Sequence, residues 1–102
     1  MKFEIKRKID NLGRIILPID LRIYYGITQG DTLVILPVKN GIHLSKPEYL
    51  TINELTNATI TTIDVLGRFI VPSVFRNRYQ FKPNDILRIV PDETCILISK
   101  EI

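Results

Sequence analysis

The chain has 102 residues, of which 45% are hydrophobic and 25% charged, a balance that suits one compact domain and excludes a disordered tail protein. A formal charge of +3 is unremarkable as a total, and a single cysteine, Cys95, excludes an intrachain disulfide or a cysteine metal cluster, while the single histidine, His43, argues against a metal site there. No apolar run approaches the roughly 20 residues needed to cross a bilayer, and the start, Met1 to Lys8, is too charged for a signal peptide, so a cytoplasmic protein with no membrane partner is expected.

Lys2 to Ile9 alternates apolar and polar residues and predicts a half-buried strand. Asp10, Asn11, Leu12 and Gly13 form a turn, because Asp and Asn accept from amides just ahead and glycine takes a positive φ at little cost. Arg14 follows, and Ile15 to Leu17 is a short buried strand that pairs either in a hairpin or with a strand elsewhere in the chain. Pro18 opens a helix to Tyr25 with Gly26 as its stop. Leu17, Leu21 and Tyr24 or Tyr25 share its apolar face, and Arg22 points off the opposite side. Thr32 to Pro37 and Ile42 to Lys46 are strands joined at Lys39, Asn40 and Gly41, where Asn-Gly suits a tight reversal. Pro47 to Asn57 is mostly polar and reads as a linker, with a helical turn around Ile52 to Leu55.

From Ala58 the plan is written again. Ile9 to Arg22 matches Ile63 to Arg76 at an offset of 54 without a gap: Asp10 with Asp64, Leu12 with Leu66, Gly13 with Gly67, Arg14 with Arg68, Ile16 with Ile70, Pro18 with Pro72, Arg22 with Arg76. The offset continues through Tyr25 and Tyr79, Asp31 and Asp85, Leu33 and Leu87, Ile42 and Ile96, to Lys46 and Lys100. This is one module used twice. The second copy therefore has strands at 58–63, 69–71, 86–90 and 95–100 and a helix at 72–79. Gly26 becomes Gln80 and Gly41 becomes Cys95, which predicts less tightly defined turns there. The organisation is copy one at 1–46, a linker at 47–57 and copy two at 58–102, the halves sharing one core because each alone is too small to build its own.

Split along the repeat, the charge acquires a pattern. Residues 1–30 and 55–84 each carry net +3, whereas 31–54 carry −1 and 85–102 carry −2. The front of each copy is basic, as expected of one anion-facing surface. Lys6, Arg7, Lys8, Arg14 and Arg22 supply it in the first copy; Arg68, Arg76 and Arg78 supply it in the second, where Thr61 stands at the place of Arg7. Asp10 and Asp64 read as turn-forming residues rather than catalytic carboxylates. Arg14 and Arg68 have two readings, pairing with those aspartates or contact with a phosphate or guanine edge, and the second is favoured because an exposed ion pair is worth only about 0 to 1 kcal/mol. Tyr24, Tyr25 and Tyr79 read as core or core-edge residues.

In this order of strand, Asp-x-Leu-Gly-Arg, short strand, Pro-x-x-x-Arg helix and hairpin, the chain resembles the AbrB-like family of swapped-hairpin transcription factors over Ile5 to Lys46 and Thr59 to Lys100. The resemblance implies a mainly β fold: a swapped-hairpin β-barrel from two tandem β-β-α-β-β repeats, the intrachain counterpart of a dimer. It also implies double-stranded DNA as partner, contacted by Arg7, Arg14, Arg22, Arg68 and Arg76. Ile23 takes the place of a further family arginine. Tandem copies look like the MraZ branch, whose modules are longer.

A sequence-preferring transcriptional regulator is thus the expected function. The alternatives are an antitoxin of the MazE type or a non-DNA-binding assembly module on the same barrel, with homo-oligomers possible in each case. An enzyme is not expected, since no nucleophile-base pair and no phosphate-binding glycine loop occurs. No cofactor, metal or small-molecule ligand is expected either.

Overall fold

The computed structural model describes residues 4–100. Eight strands and three short helices follow the repeat: β1 (Ile5–Lys8), β2 (Arg14–Ile16), α1 (Ile19–Tyr25), β3 (Thr32–Val38) and β4 (Gly41–Ser45) in the first copy, then β5 (Thr59–Thr62), β6 (Arg68–Ile70), α3 (Ser73–Tyr79), β7 (Ile86–Pro91) and β8 (Cys95–Lys100) in the second. Between them lie a 3-10 turn, Pro47–Tyr49, and α2 (Ile52–Thr56), whose start is a reciprocal cap between Thr51 and Glu54. The helical turn expected around Ile52 to Leu55 is therefore present. Lys2 and Phe3, assigned to the first strand from the sequence, lie outside the described residues.

Six strands form one antiparallel sheet in the order β1-β7-β8-β4-β3-β5, and β2 and β6 form a separate two-stranded ribbon. Strands of one copy pair with strands of the other. β1 pairs with β7, β5 with β3, and β2 with β6, so the first two strands of each copy find partners in the other. The registers obey the repeat. Ile5 faces Ile89 and Thr59 faces Ile35, pairs that interchange on shifting by 54, while Ile15 faces Phe69 and His43 faces Leu97, pairs that map onto themselves. A pseudo-twofold axis therefore passes between Ile15 and Phe69 on the ribbon and between His43 and Leu97 on the sheet.

One core follows from this pairing. Ile9, Ile15, Leu17, Leu21, Leu33, Ile35, Ile42 and Leu44 are buried with their counterparts Ile63, Phe69, Val71, Phe75, Leu87, Ile89, Ile96 and Ile98 in a single cluster. Neither half could exclude water from these side chains with its own strands. Each helix locks to the other copy's hairpin. Tyr25 donates its hydroxyl to the carbonyl of Asp92 and Tyr79 donates to that of Val38, at 2.6 Å in the second case. Burial pushes the Tyr25 phenol up to about 12. Tyr24, by contrast, is exposed and meets Tyr25 edge-on with ring centres 4.9 Å apart, so only one of the adjacent tyrosines reaches the core.

Three local expectations need correction. Both helices begin one residue after the proline, which sits at the N-cap with extended ψ rather than at the first helical position. The second copy's turns are as well defined as the first's: Gln80 and Asn84 take the left-handed conformation of Gly26 and Gly30, because tertiary packing overrides the local preference. Lys100 caps the Gln80 carbonyl at 2.9 Å, as Lys46 caps that of Gly26 at 3.1 Å. Finally, Gly41 has no positive φ. Its need for glycine comes from the Ile98 backbone, which occupies the space a side chain would take.

Candidate nucleic-acid interface

Asp10 and Asp64 build the same loop twice. Asp10 Oδ1 accepts from the amides of Leu12 (3.0 Å) and Arg14 (2.7 Å), and its Oδ2 accepts from Arg14 Nε at 2.6 Å. Asp64 repeats the set with Leu66 (2.9 Å), Arg68 N (2.8 Å) and Arg68 Nε (2.7 Å). Burial would lift the Asp10 carboxyl, but the Arg14 amide, the Arg14 guanidinium and the Leu12 amide outweigh it and hold the group below its ordinary 3.8. The Arg68 amide, ahead of the opposing burial, holds Asp64 below 3.8 in the same way. The pairing with the aspartates is thus present: each carboxylate engages Nε and orients the guanidinium.

The ribbon then aims these arginines. Ile15 and Phe69 face the core, so Arg14 and Ile16, with Arg68 and Ile70, occupy its outward face. Arg14 stands opposite Ile70, which makes Arg14 and Arg68 diagonal neighbours about 7–8 Å apart at their backbones. This placement brings the two loop arginines of the repeat onto one surface.

Arg22 and Arg76 do not point off into solvent as the helical wheel suggests. Arg22 is half-buried, its Nε donates to the Leu17 carbonyl at 2.9 Å, and its guanidinium lies where a side chain on Gly67 would be, 2.6 to 2.8 Å from the ideal Cβ position. Arg76 repeats this with the Val71 carbonyl at 2.9 Å and with Gly13. Leu17 N also donates to Gly67 O (2.9 Å) and Val71 N to Gly13 O (2.8 Å). Each helix arginine therefore lies against the glycine that precedes the other copy's loop arginine: Arg22 on Gly67, before Arg68, and Arg76 on Gly13, before Arg14.

The remaining basic residues are more scattered. Arg7 is exposed on β1 and donates to the Lys6 carbonyl at 2.8 Å, while its counterpart Thr61 is buried and exchanges hydrogen bonds with the Ile70 backbone, tying β5 to β6. By strand alternation Lys6 and Lys8 face away from Arg7, on the side of Glu4 and Arg88, which pair at 2.7 Å. Arg78 sits exposed at the end of α3, its guanidinium 5.4 Å from the Tyr79 ring centre. Lys6, Arg7 and Lys8 thus lie on β1 and Arg78 on α3, whereas Arg14 and Arg68 lie on the ribbon.

Several exposed apolar side chains were not singled out from the sequence. Leu12, Val65 and Leu66 project from the loops, Ile16 and Ile70 from the ribbon, and Ile19, Ile23 and Val74 from the helices. The two copies also differ along the helices, where Ile19, Ile23 and Tyr24 correspond to Ser73, Asn77 and Arg78. Ile19, Arg22, Ile23 and Ile27 line a shallow groove of about 400 Å³.

Among the described residues no cluster of three or more His, Cys, Asp or Glu side chains could hold a metal, and no helix is long and apolar enough to cross a membrane. No family model and no curated protein matches the chain. Among solved structures it is similar to the solution structure of PHS018 from Pyrococcus horikoshii, with a TM-score of 0.55 and 19% identity over 97% of this chain and 94% of that one. The likeness is one of fold.

Proposed function

We propose that the chain is a double-stranded DNA-binding regulator of the AbrB-like type, in which the two tandem copies exchange hairpins and close into one pseudo-dimeric β-barrel. The observation that carries the reading is the pair Arg14 and Arg68, held on one outward ribbon face by Asp10 and Asp64 through their Nε atoms. A planar guanidinium so fixed suits bidentate contact with phosphate or a guanine edge. Support for the hairpin exchange comes from the β1–β7, β3–β5 and β2–β6 pairings.

The test is fluorescence anisotropy with labelled duplex over a salt series. With five or six phosphate contacts, log affinity falls against log salt with a slope of roughly −5. No binding to any duplex at low salt overturns the proposal.

The exposed aliphatic side chains of the loops and helices favour a second reading, an assembly module on the same fold. Sedimentation of the chain without DNA separates the two. Stable self-association together with no duplex binding supports the second reading.

A further inference from the structure

On the outward ribbon face two arginines and two isoleucines alternate around the pseudo-twofold axis: Arg14 opposite Ile70, Ile16 opposite Arg68. Ile16 is 49% exposed and Ile70 50%, although each sits at the centre of a face flanked by guanidinium groups. Both copies place isoleucine here, while their buried neighbours differ, Ile15 against Phe69 and Leu17 against Val71. About half of each isoleucine is thus left open to solvent on the face that carries the arginines, and the chemistry of that exposed half calls for an apolar partner inside an anionic one.

We propose that Ile16 and Ile70 are specificity-determining residues that read thymine 5-methyl groups beside the guanines addressed by Arg14 and Arg68. The inference rests on the duplex-DNA reading above. A two-stranded ribbon fits the major groove, where guanine offers O6 and N7 to arginine and thymine alone among the four bases offers a methyl group. The spacing agrees. Diagonal ribbon neighbours are about 7–8 Å apart, close to two base steps of about 3.4 Å each. Four side chains therefore address one short central run in which guanine and thymine neighbour each other on both strands. Asp10 and Asp64 restrict the two arginines in direction, so the isoleucines meet the groove floor at a fixed offset from them.

Uracil isolates the methyl group, because it matches thymine in every hydrogen-bonding atom. Duplexes selected by the intact chain from a random pool are resynthesised with uracil for thymine, either in the central run or only in the flanks, and compared by anisotropy. Central replacement is expected to weaken binding about fourfold per methyl contacted, and flank replacement to leave it unchanged. Ile16→Ala/Ile70→Ala, checked for folding by circular dichroism, is expected to bind thymine and uracil duplexes equally. Equal binding of both duplexes by the wild-type chain overturns the methyl reading and leaves DNA binding intact. A folded alanine variant that still prefers thymine overturns it as well. A pool that yields no bound duplex removes the underlying DNA reading itself. The comparison of bases on the wild-type chain needs no variant to fold.

Discussion

The guanidinium of Arg22 lies on Gly67 of the other copy, and Arg76 lies on Gly13 in the same way. Each arginine closes over a loop whose glycine carries a positive φ, +78° at Gly67 and +82° at Gly13, so backbone conformation and lack of a side chain are required at once. The helix of one copy thereby fixes the loop that carries the other copy's ribbon arginine.

Gly67→Ala meets both requirements head-on. The added Cβ displaces Arg22 and strains the left-handed backbone, and the expected loss is about 1–3 kcal/mol of folding stability. Urea denaturation measures it. Gly30→Ala is the control, because its φ is +86° but nothing lies within 4 Å of the added Cβ, so it should cost less. An equal loss at both positions would show that the arginine contact contributes nothing.

Across-copy placement also predicts which arginines act together. Double-mutant cycles on DNA affinity should couple Arg14 with Arg76, and Arg68 with Arg22, by at least about 0.5 kcal/mol. Arg14 with Arg22 of the same copy should add within about 0.3–0.5 kcal/mol. Arg14→Ala alone should cost about 1–3 kcal/mol if the side chain reads a base edge. Coupling confined to residues of one copy would contradict the composite arrangement.

Acid should loosen the two loops. A carboxylate whose pKa in the folded chain lies below its ordinary value contributes stability above that value, and loses it as pH falls through the folded pKa. Asp10, Asp64 and Asp85 are all held below 3.8. Melting temperature should therefore be flat near neutrality and fall between about pH 5 and about pH 2. Asp10→Asn/Asp64→Asn should start lower at neutral pH and show a shallower decline. A variant with the full wild-type decline would place the acid sensitivity elsewhere.

Residues 1–46 expressed alone lack the partners of β1 and β2, which are β7 and β6, and leave β3 paired with β4 alone, without β5. The expected outcome is an unfolded chain or a homodimer, distinguished by circular dichroism and sedimentation. A stable folded monomer would show that the second copy is dispensable to the core.

Much of this architecture was legible because the repeat and the apolar alternation act over short range: strands, helices and loop aspartates fall where their local chemistry puts them. What was not legible depends on contacts between the copies. Arg22 lies opposite the apolar face on a helical wheel, yet a long side chain can fold back wherever a neighbouring glycine leaves room, and Gly67 comes from 45 positions away. Tyr24 and Tyr25 are separable only once the hairpin carbonyls of Asp92 and Cys95 are in place to receive one hydroxyl. Gln80 in a left-handed conformation contradicts its local preference and follows from the geometry imposed by the helix and the next strand. Ile16 was an exception in kind. Strict alternation from buried Ile15 already points it outward, but a run of three apolar residues reads as buried throughout.

A dimer of identical chains must show the same surface twice about its axis, because any substitution appears on both sides. Here one peptide supplies both sides, through the segment from Pro47 to Asn57, and that obligation is lifted. The differences between Arg7 and Thr61, Ile23 and Asn77, and Tyr24 and Arg78 are changes that such a dimer could not make on one side alone. Covalent joining therefore lets the two sides of the molecule differ, in the core as well, where Ile15 meets Phe69 and Leu21 corresponds to Phe75.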